Sequence, residues 1–225
     1  MSRTKVAVLI SGRGSNMQSL IDAAADADYP AEISLVISNR PKASGIERAR
    51  AAGVATGVID HTAFGSKDMK YEDGRAEFDA ALDAALSEAG VDYVCLAGFM
   101  RLLTPDFARR WRGRMLNIHP SLLPAFKGLA VHERMITAGV KIAGCTVHFV
   151  TGEMDGGPII GQAAVPVLPD DDADSLATRI LAEEHKLYPA CLKLLASGRA
   201  RLTNAGVVVL DEDVCASAGM HNPDA

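Results

Sequence analysis

The sequence predicts a single α/β domain, with a mostly parallel sheet that ends in an antiparallel part and carries helices on both faces. Apolar runs rich in valine and isoleucine alternate with helical patterns, and two later strands are joined by a loop too short to hold a helix. Such alternation is typical of β-α-β units, whose strands are buried on both sides. A chain of 225 residues, 48% of them hydrophobic, is long enough to bury the core of such a fold.

The N-terminal part of the chain supplies the parallel strands. The apolar runs KVAVLIS, EISLVIS and VATGVID predict three strands, with helices beginning near Ser15 and Ser44 between them. A longer amphipathic stretch ends at Gly90, a residue type that favours helix ends, and precedes the strand DYVCLAG. A short helix near TPDFARRW then leads to the strand MLNIH.

The rhythm of the elements changes after MLNIH. KIAGCTVHFV and GPIIGQAAVPV are separated only by the loop TGEMDG, and so short a connection predicts an antiparallel pair. SLATRILAEEHKLYPACLKLLASG predicts one long helix with Pro189 as a kink or a break, and RLTNAGVVVLD predicts a small terminal hairpin. We expect the domain to span residues 1–212 and residues 213–225 to be a disordered tail.

Composition limits the partners and the location of the protein. The formal net charge is -5, and no Lys/Arg run with interleaved aromatic residues occurs, which argues against nucleic acid and favours small-molecule substrates. No segment reaches the length of a membrane span, and the apolar N-terminal stretch is too short for a signal peptide. The cysteines stand far apart without a C-x-x-C pair, which suits the reducing cytoplasm. The sequence leaves monomer and homodimer open.

A glycine-rich loop, SGRGSN at positions 11–16, follows the first strand and precedes a helix. In an open α/β sheet this is the place where helix amides meet an anion. Met17 stands where a dinucleotide fingerprint requires glycine, and the Gly-Lys pair of a P-loop is absent. Neither of these nucleotide motifs is therefore present.

The composition of this loop nevertheless suits a single phosphate. Gly12 and Gly14 let the backbone approach a ligand, while Ser15 and Asn16 offer side-chain donors and helix caps. A tight turn with an ordinary Ser or Asn cap is the alternative interpretation. Arg13, beside the loop, favours phosphate.

The strand MLNIH carries two polar side chains on one face. Period-two alternation places Asn117 and His119 together, opposite Leu116 and Ile118. Pro120 removes a backbone donor and ends the strand, so the polar pair is expected at its carboxyl end.

A carboxylate from a second loop is expected to join this pair. Asp155 is followed by two glycines in the loop between the antiparallel strands, and it can reach His119 if that hairpin lies beside MLNIH. The carboxylate then favours the imidazolium and fixes the ring, while Asn117 supplies a neutral donor. The three residues predict a site that binds a developing oxyanion and moves a proton, by direct transfer between two substrates.

A metal site is not predicted, because the histidines form neither a helical i, i+4 pair nor a Cys/His cluster. The six histidines are His61, His119, His132, His148, His185 and His221. His148 lies within an apolar strand, which predicts a hydrogen-bonded core residue.

Five segments in order resemble the phosphoribosylglycinamide formyltransferase family, the folate-dependent enzymes of purine synthesis. They are SGRGSN, CLAGFMRLLTPDF, MLNIHPSLLPAFKG, TVHFVTGEMDGGPIIGQ and EEHKLYP, and the likeness extends from about Lys5 to Asp211. NIHPSLLP and MDGGP also occur in other formyltetrahydrofolate-using enzymes, so they point to the folate. The SG-x-GSN loop points to the acceptor.

This resemblance implies a Rossmann-like formyltransferase fold and a complete reaction. The formyl group of 10-formyltetrahydrofolate passes through a tetrahedral intermediate to the amine of N1-(5-phospho-D-ribosyl)glycinamide, in de novo purine (IMP) biosynthesis. No metal is implied. Two alternatives stay open: a hydrolase that releases formate from the same folate, and a non-catalytic folate- or phosphate-binding sensor on the same fold. Such hydrolases usually carry an extra N-terminal regulatory domain, which we do not expect here.

The resemblance also implies residues that bind the acceptor. Gly14, Ser15 and Asn16 match the loop that holds the phosphate of glycinamide ribonucleotide, and Glu184 matches a carboxylate at its ribose end. Leu181 stands where some relatives carry glutamine, so that contact is not carried over.

A second set of matches implies the folate site and the catalytic residues. The residues matching the folate site are Arg75, Met100, Arg101, Leu102, Leu103 and Asn117. The resemblance assigns catalysis to Asn117, His119 and Asp155, the residues reached above from their pattern. A solvated helix charge is the alternative for Arg75, and core packing is the alternative for the apolar residues of the folate set.

Overall fold

A computed structural model describes residues 3–65 and 74–211, whose main feature is a seven-stranded sheet in the order β3-β2-β1-β4-β5-β6-β7. The first five strands pair in parallel, whereas β5 with β6 and β6 with β7 are antiparallel. This arrangement confirms the predicted mixed sheet. The strands are β1 (Thr4–Ile10), β2 (Ala31–Ser38), β3 (Ala55–Val58), β4 (Tyr93–Leu96), β5 (Met115–His119), β6 (Ile142–Phe149) and β7 (Ile159–Pro166), with a separate hairpin of β8 (Ala200–Leu202) and β9 (Val208–Leu210).

Helices cover both faces of the sheet. Alternate residues of β1 enter two different apolar clusters: Val8 packs with helix residues such as Leu192, and Leu9 packs with others such as Leu82 and Phe107. The helices in the described part of the chain are α1 (Ser15–Ala24), α2 (Gly45–Ala51), α3 (Arg75–Glu88), α4 (Pro105–Arg110), α5 (Val131–Ala138) and α6 (Ala173–Ala196), with a short 3-10 helix at His61–Phe64. Helices α3 and α4 lie on one face, and α1, α2, α5 and α6 lie on the other.

Helix α6 continues through Pro189, so the expected alternative of a break there is wrong. The helix begins with a capping box in which the Asp172 side chain accepts from Ser175 N and the Ser175 side chain bonds back. Tyr29 donates its hydroxyl to the Pro189 carbonyl at 2.7 Å. Packing of the buried face of the helix and this added hydrogen bond outweigh the donor that proline lacks.

The topology directs the loops that matter to one edge of the sheet. The strand order reverses between β1 and β4, and open α/β sheets bind ligands beyond the carboxyl ends of the strands at such a point. The loops after β1 and β4 meet there, since Ser11 N donates to Gly98 O at 3.2 Å.

The predicted domain boundary at residue 212 and the tail at 213–225 lie outside the described residues, and both stay predictions. Within residues 3–65 and 74–211, none of the helices has the length and apolar character needed to cross a bilayer.

Candidate active site

The glycine loop ends at the start of α1 without a side-chain cap. Gly14 is the N-cap residue, with φ of 70°, so the expected cap from Ser15 or Asn16 is wrong. Helix α1 begins one residue earlier than a Ser15 cap would require, because glycine adopts the left-handed conformation that the entry turn needs. The first amides of α1, not taken up by a side chain, are suited to bind an anion.

Gly45, at the start of α2, packs against the glycine loop. Gly45 N donates to Gly12 O at 3.0 Å, and a Cβ atom added at Gly14 would lie 3.1 Å from Gly45 Cα. This close approach fixes the backbone that presents the α1 amides. The Arg13 side chain is exposed beside it.

Asn16 connects α1 to α6 through a buried carboxyl group. Its Nδ2 donates to Glu184 Oε2 at 2.7 Å, while no described residue bonds the buried Asn16 Oδ1. Glu184 is only 6% exposed; burial raises its pKa, and the Asn16 hydrogen bond opposes that rise. An amide oxygen without a partner beside a carboxyl group suits a ligand that donates hydroxyl groups.

Asn117, His119 and Asp155 lie close together at the carboxyl end of β5. Asp155 has φ of 49° in the loop between β6 and β7, and its Oδ2 lies 3.5 Å from His119 Nδ1. His119 Nε2 lies 3.0 Å from the Phe126 carbonyl oxygen, and Gly128 N donates to Asp155 Oδ2 at 2.8 Å. Both ring nitrogens of His119 therefore face acceptors, an arrangement that a ring with two N–H donors satisfies.

His148 is the site residue that the sequence analysis missed. It is buried and hydrogen-bonded, as expected, but it also lies opposite Asn117 in the β5–β6 pairing. Its Nδ1 is 2.9 Å from the Phe149 carbonyl, which can only accept, so the hydrogen is assigned to Nδ1. Nε2 then accepts from Asn117 Nδ2 at 3.2 Å and lies 3.8 Å from Asp155 Oδ1. Burial lowers the pKa of His148, which agrees with a neutral ring that orients the amide.

The segment after β4 borders the same edge and exposes apolar side chains. Met100 is 48% exposed and Leu102 is 53% exposed, so core packing does not account for either. Leu103 is partly buried against the cluster that contains α3 and α4. Met100 N donates to Ser11 Oγ at 2.7 Å, which ties this segment to the glycine loop.

Two arginines lie on this side of the edge. The Arg101 guanidinium carbon lies 4.6 Å from the centre of the Phe78 ring, and no described residue hydrogen-bonds its buried Nε. Burial lowers the Arg101 pKa, and the charge of Asp79 opposes this. Arg75, the first residue of α3, is half-buried. Exposed apolar groups beside a guanidinium group with one unsatisfied donor suit a flat ring with an acidic tail.

The buried thiols are poor candidates for nucleophiles. Cys95, Cys145 and Cys191 are unpaired and buried, and burial raises the pKa of each to about 12. Thiols in that state are inert at neutral pH. Cys215 and His221 lie outside the described residues. Within the described ranges, no three His, Cys, Asp or Glu residues are grouped closely enough to hold a metal ion.

Comparisons with known proteins show the family of this chain. The family described as formyl transferase matches residues 4–192. A phosphoribosylglycinamide formyltransferase from Haemophilus influenzae is 41% identical over 218 residues, which cover 97% of this chain and 99% of the relative. The trifunctional purine biosynthetic protein adenosine-3 of Bos taurus is 49% identical over 204 residues, which cover 91% of this chain. This chain spans only 19% of that trifunctional relative.

A solved structure gives the same result for the fold. Glycinamide ribonucleotide transformylase 1 from Symbiobacterium toebii superimposes with a TM-score of 0.86 at 46% identity, covering 93% of this chain and 95% of that one. From its match to the family and its likeness to these proteins, this chain belongs to the formyl transferase family.

Proposed function

We propose that this chain transfers the formyl group of 10-formyltetrahydrofolate to the amine of glycinamide ribonucleotide, in de novo purine synthesis. The products are the N2-formyl nucleotide and tetrahydrofolate. The observation that carries the proposal is the shared sheet edge of two unlike features. A helix start without a side-chain cap, next to the buried carboxyl group of Glu184, lies on one side of that edge, and the His119–Asp155 pair lies on the other.

The nucleotide binds through α1 and α6 in this proposal. The amides after Gly14, with Ser15 and Asn16, hold the phosphate, and the dipole of α1 favours its negative charge. Glu184 and the unpartnered Asn16 oxygen accept hydrogen bonds from the ribose. Fixing the amine beside the formyl group makes the attack effectively unimolecular, worth up to roughly 7 to 11 kcal/mol.

The folate binds on the opposite side, against the segment after β4. Met100, Leu102 and Leu103 line the pterin ring, Arg101 supplies a guanidinium group with an unsatisfied Nε, and Arg75 binds farther along the folate. The exposure of two apolar side chains beside a buried, unpartnered guanidinium nitrogen supports this assignment. A formyl-folate donor also agrees with membership of the family.

His119 and Asn117 stabilise charge as the amine attacks the formyl carbon. The Asn117 amide, oriented by His148, donates to the developing oxyanion, and so does His119 once one N–H turns from the Phe126 carbonyl. Removing such a donor typically costs about a hundredfold or more in rate. Asp155 holds the charged His119 ring and, through water, passes a proton from the attacking amine to the leaving nitrogen.

The experiment is to mix the protein with 10-formyltetrahydrofolate, with and without glycinamide ribonucleotide, and to follow tetrahydrofolate and formate. We expect tetrahydrofolate and formylated nucleotide only when both substrates are present. Formate release at the same rate without the nucleotide contradicts the proposal and favours a hydrolase, and the absence of turnover favours a sensor. A cytoplasmic location and a monomeric or homodimeric state stay predictions.

A further inference from the structure

Asp79 is a buried carboxylate that the proposed reaction does not use. It lies on α3 between apolar positions that face the sheet and is only 4% exposed. Burial raises its pKa, opposed by the hydrogen bond from the Thr104 backbone and by the charges of Arg101 and Arg75. Burying a carboxylate costs free energy unless the group is paired and hydrogen-bonded, so its contacts indicate its role.

One oxygen of Asp79 fixes the end of the segment that follows β4. Thr104 N donates to Asp79 Oδ2 at 2.7 Å. The Thr104 hydroxyl oxygen accepts from Phe107 N at 3.2 Å as the N-cap of α4. Since Ser11 binds Met100 N at the other end, the segment from 100 to 104 is anchored at both ends.

The second oxygen of Asp79 has no hydrogen-bond partner in the described part of the chain. Asp79 Oδ1 and Arg101 Nε are both buried, and neither has a hydrogen-bond partner among the described residues. The Arg101 guanidinium lies over Phe78, the neighbour of Asp79 on α3, and the two opposite charges act on each other. Arg75, one turn earlier on α3, acts on the same carboxylate. The Asp79 carboxylate thus interacts electrostatically with two arginines of the folate set.

We propose that Asp79 is a positioning residue for the folate side of the cleft, which anchors Thr104 and holds the Arg101 guanidinium over Phe78 by its charge. The proposal rests on the proposed function, because it assumes that this side binds the folate. Asp79 does not touch the reacting atoms. Its loss should therefore weaken folate binding without a matching loss of chemistry.

The test is the Asp79→Asn variant, whose amide oxygen can still accept from Thr104 N but carries no charge. Steady-state kinetics should give a KM for 10-formyltetrahydrofolate raised by about tenfold, with kcat and the KM for the nucleotide within about twofold. Calorimetry with tetrahydrofolate should show the same rise in Kd. Unchanged folate constants, or equal rises in both KM values, overturn the proposal.

Asp83→Asn is a matched control on the same helix. Asp83 also binds an arginine, Arg110 at 2.9 Å, and accepts from Trp111 Nε1 at 3.0 Å, but among the described residues it forms no hydrogen bond or ion pair with the segment from 100 to 104. It should leave the folate constants unchanged. An equal rise in Asp83→Asn would show that any lost carboxylate on α3 has this effect, and would overturn the proposal.

The Arg101→Met variant tests the interaction between Asp79 and Arg101 by removing the arginine. It should raise the folate constants, and in that background Asp79→Asn should add little, because coupled residues are not additive. If the two substitutions raise the folate constants independently, so that their effects multiply, the proposal is contradicted. It is also contradicted if Arg101→Met leaves the folate constants unchanged, and this result holds even if Asp79→Asn does not fold. Failure of the proposed function is a separate result: the unmodified protein would then lack turnover with both substrates, while tetrahydrofolate calorimetry still tests Asp79.

Discussion

Asp155 Oδ2 lies 3.5 Å from His119 Nδ1 and also accepts a hydrogen bond from Gly128 N at 2.8 Å. The carboxylate thus joins the loop between β6 and β7 to the loop that follows β5. A second link between the same loops, Lys127 Nζ to Glu153 Oε1 at 2.6 Å, lies at the exposed rim. Of these two acids, only Asp155 is placed to act on the histidine.

The Asp155→Asn variant should lose at least about a hundredfold in kcat, with both KM values little changed. The amide keeps an acceptor for Gly128 N but removes the charge beside His119. Glu153→Gln is the control, since its exposed carboxylate pairs with Lys127 and with no other described residue, and its kcat should stay within about twofold. Equal losses in the two variants would mean that the loop needs both acids for its shape, and that Asp155 has no special role.

The His148→Phe variant should lower kcat by about tenfold without changing the KM for the nucleotide. Phenylalanine fills the buried position but offers no acceptor, so the Asn117 amide is no longer oriented. His148→Gln supplies an oxygen that can accept from Asn117 and should retain more of the rate. If both variants lose the same amount, His148 contributes packing and not the hydrogen bond. Steady-state kinetics of the two variants make the comparison.

Local sequence patterns were sufficient to place much of this site. The alternation of MLNIH puts Asn117 and His119 on the face opposite Leu116, and the apolar cluster on the α6 side indeed contains Leu116. The short loop between β6 and β7 implied an antiparallel hairpin, which brings Asp155 to β5. Both inferences depend on neighbours in the chain or on a single pairing.

Features that depend on register or on tertiary packing were not accessible in the same way. His148 meets Asn117 because residue 117 pairs with residue 148 across two strands, and no local pattern specifies that register. The role of Asp79 depends on the packing of α3 against the start of α4. Pro189 predicts a possible break in the helix because local propensity does not include the tertiary contact with Tyr29.

Gly14→Ala should lower the midpoint of thermal unfolding by about 2–4 °C for each kcal/mol of strain, and should raise the KM for the nucleotide. Alanine at φ of 70° is strained, and its Cβ would press on Gly45 Cα at 3.1 Å. Gly12→Ala is the control for folding, because nothing lies within 4 Å of a Cβ there. Calorimetric melting of both variants decides the point, and an equal loss of stability in Gly12→Ala would contradict it.

Glu184→Gln should bind the nucleotide more weakly yet unfold at a higher temperature than the unmodified protein near neutral pH. The folded protein holds the Glu184 proton more tightly than the unfolded chain does, because burial raises its pKa above the usual 4.5. The stability linked to this group is therefore fully present below pH 4.5 and falls as pH rises through the raised pKa. Glutamine does not titrate, so the gap between the two unfolding midpoints should widen from acid to neutral pH.

Glu183→Gln provides the matched control for this comparison, since Glu183 precedes Glu184 on α6 but is more exposed and pairs with Lys186 at 2.8 Å. Glu183→Gln should change neither the pH dependence of stability nor the KM for the nucleotide. Glu184→Gln should raise that KM by about tenfold or more, because a charged acceptor is lost. Melting curves between about pH 4 and pH 8 measure the first effect. If Glu184→Gln is less stable than the unmodified protein at pH near 8, the prediction is wrong. The buried carboxylate would then stabilise the folded protein, and its burial would not lower the free energy of unfolding.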